Sequence, residues 1–288
     1  MQQFNQPFQK NSMIVQHTKV KLAVLMGFMF LSSSCHAQEL FTMTEPASNR
    51  AARSIGVRID NSIMDEINTS KINYHLIPEI MAGISKTWMI AGSVFFSNRS
   101  NDFKYEGGSI YTKYRFFSND AVQKHFRIAA FGRIGFNNSD IHQQEINMNG
   151  HNTGTELGIV ATKLIRKVAL SSGASFLKAT DNGNNNKFIY GAKESKAVNY
   201  TFSIGKLMLP KEYKVYTQTN INCMLEFLNQ VNIGSGKYYM DIAPTVQMIF
   251  NSQSRIDFGY IKEVSSTMTR TAPNGFFIRL ETNFFNAF

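Results

Sequence analysis

The 288-residue chain carries 30 Lys and Arg against 20 Asp and Glu, a net charge of +10, yet only 17% of its residues are charged and 12% are aromatic. With a mean hydropathy of −0.21, it is too polar for a bundle of membrane helices and too rich in apolar and aromatic residues for a disordered chain. The balance suits strands with one apolar and one polar face.

In chain order, Lys19 and Lys21 precede an apolar run, Leu22 to Leu31, which leads into Ser32-Ser33-Ser34-Cys35-His36-Ala37. The run is about half of the ~20 residues a spanning helix needs, so residues 1–37 are expected to be a secretory signal peptide cleaved after Ala37. Acylation at Cys35 is an alternative, although Ser32 stands where a lipobox carries a large aliphatic residue; Met13 is an alternative start. Removing 1–37 takes three lysines and no acid, leaving a charge of +7. Such an excess would suit nucleic acid, but export argues against that partner. Cys223 alone would remain, which excludes an internal disulfide and a thiolate metal cluster.

Beyond residue 53 the dominant period is two. Ile55, Val57, Ile59 and Ile63 oppose Arg58 and Asp60; Phe126, Ile128, Ala130, Ile134 and Phe136 oppose Arg127 and Arg133. Near the end, Phe276, Ile278, Leu280, Thr282 and Phe284 oppose Arg279, Glu281 and Asn283. Twelve such segments are predicted, near 54–63, 71–84, 87–97, 106–117, 123–136, 154–164, 167–178, 197–209, 219–230, 237–250, 254–263 and 275–287. Most are longer than the roughly five or six residues of a soluble strand and match the ~9–11 that a tilted strand needs to cross a bilayer. A soluble sandwich alternates in the same way, so length is what separates the two.

Connector lengths add a second criterion. Longer connectors alternate with short ones, and the three longest, including 137–153 and 179–196, fall on one side, as an up-and-down barrel with both ends in the periplasm requires. An even strand number closes the sheet without an edge. The expectation is an all-β, transmembrane antiparallel barrel of about 12 strands over 54–288 in the bacterial outer membrane. Segment 38–53 would be a short periplasmic lead-in able to fill part of the barrel mouth, and the strand count is least secure around 205–220. Phe288 ends the chain as a terminal aromatic of the kind that barrel-assembly machinery recognises. Lone Trp88, with Tyr111, Tyr114, Tyr238 and Tyr239, is assigned to an interfacial girdle.

Several stretches resemble an uncharacterised, transporter-like barrel family of Bacteroidetes-type outer membranes: Thr44 to Asn49, Phe136 to His142, Gly158 to Leu164, Ile204 to Tyr213 and Asn283 to Phe288. The resemblance covers nearly the whole chain after the signal. It implies fold and address and carries over no catalytic residue.

The polar faces nominate lumen-lining residues that would set selectivity: Arg58 and Asp60, Lys113 and Arg115, Arg127 and Arg133, Glu226 and Asp241, Arg255 and Asp257, and Arg279 and Glu281. Both signs occur, so a conduit and a ladder of ion pairs in a closed interior remain open as readings. In loop 137–153, Asp140, His142, Glu145 and His151 are weak metal or hydrolase candidates whose spacing matches no ligand motif. The Asp181-Asn-Gly-Asn-Asn-Asn186 run reads as a flexible outer loop. The sequence thus predicts a non-enzymatic channel or passive transporter for a small solute, without cofactor, whose partners are outer-membrane lipid and assembly machinery. A closed structural or adhesive barrel using loops 137–153 and 179–196 is the alternative, and a surface hydrolase the lesser one.

Overall fold

In strands whose side chains alternate between lipid and lumen, every outward position must be apolar and every buried polar group must find a partner. The computed structural model, which describes residues 41–67, 71–99, 102–122, 124–212 and 218–288, follows this pattern along most of each strand. Its strands are β1 Ser54–Asp65, β2 Ile72–Gly83, β3 Trp88–Ser97, β4 Lys104–Ala121, β5 Lys124–Asn137 and β6 Gly154–Ile165, then β7 Val168–Ala179, β8 Lys196–Leu209, β9 Asn220–Asn232, β10 Tyr238–Phe250, β11 Ser254–Ser266 and β12 Asn274–Phe284. Each pairs antiparallel with its sequence neighbours, and β12 returns to β1 to close the barrel. All twelve predicted strands are present, with ends shifted by a few residues. The weak stretch around 205–220 holds the end of β8 and the start of β9, while part of the connector lies outside the described residues. The signal peptide predicted over 1–37 also lies outside them.

The closing seam runs in continuous register from Ile55 opposite Phe284 to Asp65 opposite Asn274. Beyond it, the Ala287 amide donates to the Arg53 carbonyl at 2.8 Å and Arg53 Nε donates to the Phe288 carbonyl at 2.6 Å. The chain end therefore fastens the base of the first strand.

Outward positions form a continuous apolar belt: Val57, Ile80, Ile110, Leu157, Ile159, Phe202, Val246, Phe258, Ile278 and Leu280 are all exposed. Water would make such a surface costly, at roughly 25 cal/mol per Å² of apolar area, and lipid removes that cost. Trp88 and Tyr114 sit opposite one another on this outer wall, as the girdle assignment requires. Tyr111 and Tyr239 do not: both are buried inside. Tyr111 shares the parity of Lys113, and Tyr239 that of Asp241, so the pleat turns them to the lumen.

Candidate functional site: a plugged lumen

Residues 41–53, expected as a lead-in able to fill part of the barrel mouth, run inside the barrel, where luminal side chains hold them. A carboxylate has two oxygens and no donor, so it suits a run of backbone N–H groups that have no strand partner. Glu226, on the inner face of β9, takes that role: it accepts from the amides of Thr42, Met43 and Thr44 at 2.9, 2.8 and 2.8 Å, and from Thr44 Oγ1 at 2.7 Å. Further along, the Ala47 amide donates to Thr162 Oγ1 at 2.8 Å, Lys113 Nζ to the Pro46 carbonyl at 2.8 Å, and Arg127 to Ser48 Oγ at 2.9 Å. Ala47 also packs against Ala129 and Val160 of the wall.

Glu45 faces Arg58 at 2.9 Å and Lys113 at 3.5 Å. Burial alone would raise its carboxyl pKa, but Arg58, Lys113 and Arg279 outweigh burial and hold it well below the usual carboxylate range. Glu281 gathers three arginines: Arg50 of the plug and Arg255 at 2.7 Å each, and Arg58 at 2.9 Å. Arg50 also donates to Asn283. A Cβ at Gly56 would overlap the Arg50 guanidinium, and one at Gly205 would touch the Phe41 ring. Both wall positions are thus shaped for the plug.

The outer end is narrowed by a second segment. The β5–β6 connector, 138–153, folds inward rather than standing in solvent. Gln230 of β9 bonds both the amide and the carbonyl of Ile146 at 2.8 Å, and Ile146 and Met148 pack with Leu177, Ala179 and Ala197 of the wall. The 181–186 run, expected to be flexible, is docked on it: Asn182 Nδ2 donates to the Ser139 carbonyl at 2.8 Å, and the Thr153 amide donates to Asn182 Oδ1 at 2.8 Å. From the β11–β12 connector, Arg270 grips Asp241 through two bonds of 2.7 Å and reaches Glu145 at 2.8 Å. Burial works against its charge, yet Glu145 and Asp241 prevail and hold the guanidinium above its usual range.

The remaining predicted lumen residues also have partners. Arg279 meets Asp60 at 2.7 Å; Arg133 lies 3.6 Å from Glu156 and donates to Asn149 at 2.8 Å; Asp257 accepts from Thr42 Oγ1 at 3.4 Å and lies 3.8 Å from Arg255. Arg115 is at the rim, where it donates to the Lys86 carbonyl in the β2–β3 turn at 2.7 Å.

The four metal candidates are not brought together. Asp140 and His142 are exposed, Glu145 is engaged by Arg270, and the His151 ring stacks on His75 with centroids 5.0 Å apart. Burial, then the Arg99 charge, holds the His151 imidazole well below its ordinary pKa. Among the described residues, no group of three His, Cys, Asp or Glu side chains is placed to hold a metal ion. Between plug and loop lies a cavity of about 360 Å³.

Sequence comparison is silent: no protein-family model matches the chain, and a search of curated proteins finds no match. Comparison of the fold is not. An outer membrane channel from Pseudomonas putida F1 aligns over 85% of this chain and 99% of its own, with a TM-score of 0.53 at 8% identity. The chain folds as a bacterial outer-membrane β-barrel. CdiB from Escherichia coli matches with a TM-score of 0.39 at 8% identity, over 85% of this chain and 64% of that one. OmpT, an outer membrane protein of Vibrio cholerae, matches with a TM-score of 0.34 at 10% identity, over 82% of this chain and 100% of that one.

Proposed function

We propose that the protein is an outer-membrane channel or passive transporter for a small solute, kept closed by its own N-terminal segment. One observation carries this reading: the luminal ion pairs of the wall join neighbouring strands, and what fills the lumen between them is two chain segments. Polar bonds hang both segments from the wall, and the cavity lies between them. A purely structural barrel would gain more from filling its core with wall side chains than from burying two loops of charged and polar backbone. On this reading the luminal charges serve first as anchors for the plug, and selectivity acts when the plug is displaced.

The proposal treats 1–37 as an export signal, Phe288 as an assembly signal and the barrel as non-catalytic. The engagement of Glu145 by Arg270 and of His151 by His75 supports the last point. The sequence resemblance to Bacteroidetes-type barrels supports the same address.

Planar bilayers test the proposal, comparing the chain lacking residues 41–50 with the intact one. Removing the plug is expected to produce discrete, larger conductance steps. A deletion variant that migrates as a heat-modifiable closed barrel yet conducts nothing would replace the channel reading with the structural one.

A further inference from the structure

Charge is spread unevenly over the lipid-facing wall. In the half of the barrel that carries the short turns, which face the periplasm, the outward strand positions among the described residues hold three charges: Lys124 on β5, Lys163 on β6 and Lys206 on β8, all exposed. Acids are scarce around them: β5, β7 and β8 have none, and Glu156 of β6 lies beside Arg133 on the inner face. Uncharged residues stand opposite each lysine in register: Ala121 and Ile165 flank Lys124, Phe126 and Leu170 flank Lys163, and Val168 and Cys223 flank Lys206. Arg166, exposed in the β6–β7 turn just below, adds a fourth cation. Lysines that serve only to anchor a barrel in the headgroup layer would be spread around it, whereas these fall within four adjacent strands of the closed sheet.

Toward the middle of the membrane, the wall above the lysines has a matching furrow. On β7, which runs between Lys163 and Lys206, the outward Ser172 and Ala174 are small and exposed, while Ile159 of β6 and Tyr200 and Phe202 of β8 rise on either side. In register, Ile159, Ala174 and Tyr200 form one row across the three strands, Ala161, Ser172 and Phe202 the next, and Lys163, Leu170 and Ile204 the row below. Lys206 follows one step lower, opposite Val168. At ~4.8 Å per strand and ~3.3 Å per residue, the backbones of Lys163 and Lys206 are about 12 Å apart, a gap that two lysine stems can close around one phosphate. An anion held there meets positive charge with no competing acid. The furrow itself lies in the apolar belt, beyond the reach of a water-soluble partner, and fits an acyl chain rising from that phosphate.

We propose that the β6–β8 wall binds an anionic phospholipid of the inner leaflet, its phosphodiester between Lys163 and Lys206 and an acyl chain over Ser172 and Ala174. The site stands whether or not the barrel conducts. Native mass spectrometry of the mature chain in detergent tests it, with dioleoylphosphatidylglycerol and dioleoylphosphatidylcholine offered together in equal amounts. Because each lysine near the membrane surface favours anionic lipid, the phosphatidylglycerol adduct should exceed the phosphatidylcholine adduct by at least about fivefold. That preference should disappear in the double variant Lys163→Gln, Lys206→Gln. It should persist in Lys187→Gln, Lys193→Gln, which removes the same charge from exposed positions of the outer loop. Ser172→Phe fills the furrow and spares the lysines, and should lower the phosphatidylglycerol adduct by at least about threefold. Each variant is first shown to migrate as a heat-modifiable barrel. Equal adducts of the two lipids, a preference indifferent to Lys163 and Lys206, or one lost equally in the outer-loop variant would overturn the proposal. So would an undiminished adduct in Ser172→Phe, or displacement of the lipid by soluble glycerophosphoglycerol or by polyglutamate, which would assign the lysines to a water-soluble partner.

Discussion

Replacing Glu226 with Gln is the sharpest perturbation of the plug. The carboxylate accepts three backbone amides and one hydroxyl from Thr42 to Thr44. The amide keeps one acceptor oxygen and turns an NH₂ toward the other donors, so at least two bonds are lost. Hydrogen bonds to a charged group contribute about 1.5–3 kcal/mol each. The docked state therefore loses about 3–6 kcal/mol, a shift of roughly 10²–10⁴ in the docked-to-released ratio at ~1.4 kcal/mol per tenfold. Trypsin reports that ratio directly, because Arg50 lies in the plug and is sheltered by Glu281 and Asn283. Cleavage after Arg50 in the folded, detergent-solubilised barrel should quicken by about 100-fold or more, in proportion to the released population. A rate within about threefold of the parent would show that Glu226 does not hold the segment, and the anchoring argument would fall.

Acid should loosen the outer segment. Since the buried His151 is held below its ordinary value of 6.5, the docked loop binds fewer protons than the released one. Its stability is therefore full above about pH 6.5 and declines as pH falls below that value. A spin label on Asp140→Cys should gain mobility between pH 7.5 and 5, and the change should vanish in His151→Gln. Arg270→Met strips Asp241 of its partner, at about 3–5 kcal/mol for a broken buried pair; the same label should then be mobile at neutral pH, and an unchanged spectrum would count against the Arg270 clasp. Ile159→Arg puts a charge on the lipid face midway along β6 and should lower barrel stability by about 2–4 kcal/mol in urea unfolding from lipid vesicles. A loss below about 0.5 kcal/mol would contradict the placement of the belt.

Strands were legible because the lipid–lumen alternation is written locally, as in Ile55, Val57 and Ile59 against Arg58 and Asp60. The plug was not. Thr42 to Ser48 has no period, and its anchor Glu226 is 182 to 184 residues away, a pairing that no window of sequence contains. Gly56 and Gly205, small residues at luminal positions of otherwise bulky strands, were the available trace. Loop 138–153 carried a clearer signal: Ile146 and Met148 alternate within a polar stretch, which is unusual for a solvated connector and normal for one that packs on a wall. Tyr111 and Tyr239 were misassigned to the girdle by residue type, where the parity of Lys113 and Asp241 already turned them inward.

The central claim, that the N-terminal segment closes a conduit, is tested most directly by locking it in place. Ala47→Cys with Thr162→Cys, in a Cys223→Ser background, joins plug to wall where the Ala47 amide meets Thr162 Oγ1 at 2.8 Å. In planar bilayers the oxidised barrel should show no conductance steps, and adding reductant to the same membrane should restore them. Conductance that is the same before and after reduction, with the crosslink confirmed by mass spectrometry, would contradict the claim.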